Sequence, residues 1–146
     1  MGRLQLALNV GDLDKAIDFY STLFKTPPAK VRPGYANFAV ADPPLKLVLF
    51  EGGVPGSINH LGVEVTSTDE VVDATTYLRG AGLETLVEER TTCCYAVQDK
   101  VWVEGPDTTH WEIYTVLADA PTEGPVAGDD TCCTEAGATT DAAACC

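Results

Sequence analysis

The chain has 146 residues, 45% of them apolar, and a formal net charge of -13 with a pI near 4.2. That length suits one ordinary domain or two very small modules sharing a core. The acidic balance argues against nucleic acid and anionic membrane as partners, which both select basic patches, and no run of about 18 apolar residues offers a membrane span.

The opening MGRLQLALNV is short, alternating and followed at once by an acidic helix start, so it does not read as a signal peptide, and a cytosolic protein is expected. Residues 4–10 alternate as a strand with one wet face. Asp12 is a good N-cap, and Ala16, Ile17, Phe19, Tyr20, Leu23 and Phe24 follow at helical spacing until Pro27 and Pro28 stop the helix. A short strand near 29–32 precedes two more at 35–40 and 45–50, around an Ala-Asp-Pro-Pro turn. The Gly/Pro-rich stretch 51–57 is a linker.

The pattern then restarts. Residues 60–65 form a strand, and Ser67, Thr68 or Asp69 caps a helix to about Leu78, closed by Gly80 and Gly82. Strands are expected at 84–88, 93–97, 101–104 and 111–116, with turns at Asp99-Lys100 and Gly105-Pro106-Asp107. The fold class is therefore α+β, two βαβββ modules (about 3–51 and 58–118) forming one domain over 1–118. Residues 119–146 are read as a flexible, cysteine-containing acidic tail, with six acidic residues and no Lys or Arg from Asp119 onward.

The restart is a weak internal repeat of about 55 residues. It aligns Gln5 with His60 on the first strand of each module and Lys46 with Glu112 on the last. In a pseudo-symmetric pair of sheets these four side chains face one cavity. Gln5, His60 and Glu112 can then donate O, N and O to a metal, a variant of the two-His-one-carboxylate face that leaves positions open on Fe(II). Lys46 cannot ligate while protonated.

The six cysteines form three adjacent pairs, Cys93–Cys94, Cys132–Cys133 and Cys145–Cys146. A disulfide framework spaces its cysteines to close loops, whereas neighbouring thiolates suit soft metals and metalloids. Successive strand residues point to opposite faces, so Cys93 and Cys94 can grip one atom only from a loop or bulge. Lys100 would lower the thiol pKa if that loop folds back.

These motifs together resemble a known group. Leu4-Gln5-Leu-Ala-Leu-Asn-Val, Asp12-Leu13, Pro33-Gly-Tyr-Ala-Asn-Phe-Ala, Pro43-Pro-Leu-Lys-Leu-Val-Leu, Asn59-His60-Leu-Gly-Val-Glu-Val, Thr92-Cys-Cys-Tyr-Ala-Val-Gln-Asp-Lys-Val-Trp-Val and Trp111-Glu112-Ile-Tyr resemble the ArsI/CadI group. That group joins carbon–arsenic lyases and cadmium-induced proteins within the vicinal oxygen chelate (glyoxalase/bleomycin resistance/dioxygenase) superfamily. The resemblance covers residues 3 to about 118 and is carried above all by the Thr-Cys-Cys-Tyr block with the His and Glu strands.

The resemblance implies Fe(II)- and O2-dependent cleavage of the C–As bond of trivalent organoarsenicals, such as methylarsenite and reduced aromatic arsenicals, to arsenite. Gln5, His60 and Glu112 would hold the metal and Cys93 and Cys94 the arsenic. Tyr95 to Lys100 would belong to a mobile segment closing over the substrate, with Tyr95 and Lys100 in the catalytic group. The tail pairs would deliver or sequester thiophilic ions, and the chain would be a monomer or homodimer. The rival expectation is a non-catalytic cadmium- or arsenic-binding resistance protein. A glyoxalase or ring-cleaving dioxygenase is disfavoured, since neither needs Cys93–Cys94.

Overall fold

The structure is a computed structural model and describes residues 2–122. The tail pairs Cys132–Cys133 and Cys145–Cys146 lie outside the described residues. The elements are β1 (Arg3–Val10), α1 (Leu13–Phe24), β2 (Lys30–Arg32), β3 (Tyr35–Val40), β4 (Leu45–Glu51), β5 (Ile58–Glu64), α2 (Thr68–Gly80), β6 (Thr85–Cys93), β7 (Ala96–Glu104) and β8 (His110–Asp119). This is βαβββ twice. No described helix is long and apolar enough to cross a membrane.

Local signals account for the helices. The Asp12 side chain accepts from the Lys15 N–H, and the Ser67 side chain accepts from the Glu70 N–H, each supplying a partner to an otherwise orphaned first-turn donor. α1 ends at Lys25, whose φ of 51° is left-handed, before either proline is reached. The prolines prevent resumption rather than cause the stop.

The two modules join edge to edge into one eight-stranded sheet, ordered β2-β3-β4-β1-β5-β8-β7-β6. Within each module the first and last strands run parallel (β1 with β4, β5 with β8), and β1 meets β5 antiparallel at the seam. Strand alternation gives this sheet two unlike faces. One face carries Leu6, Leu8, Leu47, Leu49 and Phe38 against Leu13, Ile17, Tyr20 and Phe24 of α1. Each such side chain contributes roughly 1.5–3 kcal/mol by leaving water. The other face carries Gln5, Ala7, Lys46, Val48, Phe50, His60, Glu112 and Tyr114, and it is concave. The curl is closed at the β6–β7 hairpin tip. Lys30 Nζ on β2 donates to the Tyr95 carbonyl (3.0 Å) and to Asp119 Oδ1 (2.5 Å), and the Tyr95 and Tyr35 rings lie 5.3 Å apart. These contacts bring the tip of the last hairpin to the opposite end of the strand order.

The second module departs from expectation in one place. The stretches 93–97 and 101–104 are not separate strands around an Asp99-Lys100 turn. β7 runs unbroken from Ala96 to Glu104, and the reversal falls at Cys94 and Tyr95. Both turn residues have positive φ (54° and 61°), the requirement of a two-residue hairpin turn matched to strand twist. Asp99 and Lys100 look like turn residues, yet they are buried in the sheet because each finds a polar partner there.

Register explains how distant residues meet. Gln5 on β1 and Glu112 on β8 both lie opposite Gly62 of β5. With no side chain between them, the two close over Gly62. A Cβ built there would sit 3.0 Å from Glu112 Cγ and 3.4 Å from Gln5 Cβ. Gly62→Ala is therefore expected to lower unfolding free energy by about 1–3 kcal/mol through overpacking, read as a lower urea midpoint at unchanged slope. An unaltered midpoint would show that the glycine gap is not needed.

Candidate metal and thiol site

Four strands contribute to one buried polar cluster on the concave face. Gln5, His60, Lys100 and Glu112 are each at most 3% exposed. The Gln5 amide Nε2 donates to Glu112 Oε1 at 2.6 Å and lies 3.0 Å from His60 Nε2, while His60 Nε2 and Glu112 Oε1 are 3.4 Å apart. The three residues expected as ligands are thus brought together from β1, β5 and β8. Lys46 is on the same face but set apart, 4.0 Å from Glu64 Oε1 and above the Tyr114 ring.

A chain of amides sets the imidazole. Asn9 Nδ2 donates to Ser57 Oγ, and Asn59 Nδ2 donates to Asn9 Oδ1. Asn59 Oδ1 is thereby turned to His60 Nδ1 at 2.7 Å. It can only accept, so Nδ1 carries the proton and the Nε2 lone pair faces the cluster. Two acceptors, His60 Nε2 and Glu112 Oε1, therefore converge on one position, occupied here by an N–H2 group. A cation has the same preference. Rotation of the Gln5 amide by half a turn would place Oε1 there instead, completing an O, N, O donor set that fits a divalent ion such as Fe(II). Tyr114 accommodates either arrangement. Its hydroxyl now donates to Gln5 Oε1 at 2.5 Å, and a hydroxyl can also accept. Burial foremost, with Glu64 and Glu112 nearby, raises the Tyr114 pKa far above its ordinary value and keeps the phenol protonated. Among the described residues no group of three or more His, Cys, Asp or Glu could hold an ion, so an ion held by His60 and Glu112 would take the amide as its third donor.

Glu112 is a buried carboxylate, and burial alone would raise its pKa. The charge of Lys100 foremost, whose Nζ donates to Oε2 at 2.9 Å, more than offsets this, and the Glu112 pKa falls to about 2. Lys100 shows the mirror effect: burial opposes its charge, but Glu112 foremost, then Cys94, raise its pKa. The ordinary range of both groups keeps the pair ionised at neutral pH.

The cysteine pair sits at the hairpin tip, with Cys93 closing β6 and Cys94 in the turn. Their sulfurs lie 3.1 Å apart. Cys93 is 2% exposed and disulfide-bonded, so both sulfurs become available to one atom only after reduction. Cys94 packs against Ala7, Tyr35, Val48, Phe50 and Tyr95, all at the concave face, and lies near enough to Lys46 and Lys100 for its thiolate to favour their charged forms. Phe50 bridges the two groups, touching this cluster and lying 6.2 Å from the His60 ring, which Trp102 flanks at 5.5 Å. The Tyr95 ring lies 5.3 Å from that of Tyr35, with the Arg32 guanidinium 5.7 Å from its centroid.

Sequence reasoning did not single out Asn59, Gly62, Gln98, Trp102 or Tyr114. Trp102 and Tyr114 carried a usable signal, since each sits two residues from a chosen residue on one strand and so shares its face. Gln98 shares the Lys100 face in the same way. Its Nε2 donates to the Cys93 carbonyl at 3.2 Å, and its Oε1 is the one buried side-chain atom among the described residues that lacks a hydrogen-bond partner. The donor side chains close on one another. Two cavities, of about 480 and 340 Å³, lie elsewhere, one by Asp12, Arg32 and Glu51 and one between α2 and the β6–β7 hairpin.

Comparison with known proteins bears on the family and the fold. A profile described as Glyoxalase/Bleomycin resistance protein/Dioxygenase superfamily matches residues 2–113. A cadmium-induced protein, CadI, of Mycobacterium tuberculosis is 62% identical over 125 residues, covering 85% of this chain and 82% of its own. A trivalent organoarsenical cleaving enzyme of Thermomonospora curvata is 57% identical over 136 residues, covering 92% and 89%. An extradiol ring-cleaving dioxygenase from B. fuscum superposes with a TM-score of 0.60 at 19% identity, over 81% of this chain and 33% of that longer one, a likeness of fold alone. The chain belongs to the glyoxalase/bleomycin resistance protein/dioxygenase superfamily, in the group that holds the cadmium-induced and trivalent organoarsenical cleaving proteins.

Proposed function

We propose that the protein cleaves the carbon–arsenic bond of trivalent organoarsenicals, such as methylarsenite, to release arsenite, using Fe(II) and O2. The observation that carries this reading is the joint placement, on one concave face, of two sulfurs 3.1 Å apart and an amide–imidazole–carboxylate cluster with lone pairs converging on one point. Similarity to the organoarsenical cleaving enzyme supports it.

In this reading Cys94 and Cys93, the latter once reduced, displace two hydroxyls from arsenic as water and hold the metalloid by two As–S bonds. Capture at two points fixes the carbon substituent beside the donor cluster, and such positioning can supply several kcal/mol toward the barrier. Gln5, His60 and Glu112 would hold Fe(II), and the bound metal would supply the activation of O2 that cleavage at the arsenic-bound carbon requires. Lys100 keeps Glu112 ionised as a donor and provides positive charge close to Cys94, which favours thiolate. Phe50, in the cluster that packs Cys94 and 6.2 Å from the His60 ring, would help keep water from the arsenic held beside it.

The second reading, a cadmium or arsenic buffer, is favoured by the 62% identity to the cadmium-induced protein. Turnover separates the two. The expected result is arsenite released from methylarsenite by reduced protein with Fe(II) in air, but not under argon or with a chelator. Stoichiometric binding without product would decide for the buffer. Cys93→Ser/Cys94→Ser and His60→Ala should each cost at least about 100-fold in kcat/KM. Normal cleavage by either variant would end the scheme.

Loss of Lys100 tests the electrostatics. Glu112 has a folded pKa of about 2 against an unfolded value of 4.5. Its contribution is therefore complete above the unfolded pKa and fades as pH falls toward 2. Lys100→Met leaves the carboxylate buried and uncompensated, so it should be less stable than wild type by about 3–5 kcal/mol at pH 7. The gap in urea denaturation should narrow below pH 4.5. A gap independent of pH would point to packing alone.

A further inference from the structure

The facing of Cys93 poses a register problem. In an unbroken β6–β7 ladder, Glu88 opposite Lys100 would be followed by Glu89 opposite Asp99 and Arg90 opposite Gln98. Directly opposed residues share a face. Lys100 reaches Glu112, so Gln98 and Ala96, two and four residues earlier on β7, are on the concave face too. The even-numbered residues of β6 would then share it, and Cys93 would point to the outer side. The observed register differs. Glu88 is opposite Lys100, but Thr91 is opposite Gln98 and Cys93 opposite Ala96. Two residues, Glu89 and Arg90, stand where one would fit, and this bulge inverts the alternation of the rest of the strand. Cys93 turns inward, and the hairpin closes with Cys94 and Tyr95 as its two turn residues.

Something must hold the extra residue. Arg90 has φ 50°, a left-handed conformation costing a non-glycine residue about 1–3 kcal/mol. Its N–H donates to Asp99 Oδ1 at 2.7 Å, and Asp99 Oδ2 accepts from Thr68 Oγ1 at 2.5 Å. Asp99 is 7% exposed, on the α2 side of β7, so it touches neither the sulfurs nor the donor cluster. One carboxylate thus ties the bulge to the N-terminus of α2.

We infer that Asp99 is a positioning residue for the thiol pair: its carboxylate locks the bulge at Glu89 and Arg90 that turns Cys93 onto the face of Gln5, His60 and Glu112. The inference rests on the proposed capture of arsenic by Cys93 and Cys94 for its functional meaning, but not for its structural content. Removal of the lock lets β6 slip into the unbroken register, separates the sulfurs across the two faces, and converts two-point capture into one-point capture.

The test uses the reduced full chain as wild type, Asp99→Ala, Asp99→Asn and Asp99→Ala/Arg90→Gly. Asparagine retains an acceptor for the Arg90 N–H, and glycine adopts the left-handed backbone without help. Two readouts are taken: affinity for phenylarsine oxide, and cross-strand backbone NOEs that report which residue opposes Gln98. Asp99→Ala should place Arg90 opposite Gln98 and bind the arsenical about 100-fold or more weaker, the expected loss of the second attachment. Asp99→Asn and the Arg90→Gly double variant should keep Thr91 opposite Gln98 and bind within a few-fold of wild type. Should Asp99→Ala not fold, the double variant carries the test, since rescue of register by glycine requires the bulge to be the defect. Thr91 still opposite Gln98 in Asp99→Ala, or a double variant that folds no better, overturns the inference. Failure of wild type itself to bind phenylarsine oxide would instead refute the capture reading, while the NOEs still decide the role of Asp99.

Discussion

One buried negative charge organises the concave face. Glu112 is surrounded by strands, and a carboxylate so placed is costly unless it is compensated. Lys100 compensates one oxygen, and the Gln5 amide, which also faces the His60 Nε2 lone pair, compensates the other. Each partner comes from a different strand, so the requirement to balance this charge holds β1, β5, β7 and β8 in one relative arrangement. The same requirement explains why a lysine can be almost fully buried in so small a protein.

The seam between the modules makes that arrangement possible. β1 and β5 are the first strands of their modules, and their antiparallel pairing places Gly62 between Gln5 and Glu112. A glycine in mid-strand weakens a sheet locally, and here it removes the one side chain that would separate two polar groups. The helices play no direct part in the donor cluster. α1 covers the apolar face of module one, and α2 lies against β6, β7 and β8, where Thr68 meets Asp99.

The sulfur pair is built on different physics. It occupies a turn whose two residues both adopt left-handed backbone, an unfavourable state for Cys and Tyr. The strain is held by contacts of the turn with the far edge of the sheet: Lys30 on the Tyr95 carbonyl, the Tyr35 ring, and the Ala120 N–H on the same carbonyl. Under the proposed function, a thiol pair on this strained but anchored tip would bind the substrate beside the donor cluster. Strain of this kind clusters at working sites because surrounding structure has to maintain it.

Local pattern carried much of the outcome. The doubled βαβββ order, both helix starts and the trio Gln5, His60 and Glu112 were legible because period, capping residues and repeat phase are properties of short stretches of chain. The adjacency of Cys93 and Cys94 was legible as well, along with the need for a loop or bulge if both were to face one atom. Long-range register was not. Nothing in the stretch around Asp99-Lys100 distinguishes a turn from a buried strand, since burial of that pair depends on partners that include Thr68 and Glu112, 31 residues before Asp99 and 12 residues after Lys100. The closing of Gln5 and Glu112 over Gly62, the amide chain that sets the His60 tautomer and the bulge that turns Cys93 inward likewise depend on which residues end up opposite one another. Pairing between distant strands is a cooperative property of the whole sheet, and only the tertiary structure decides it.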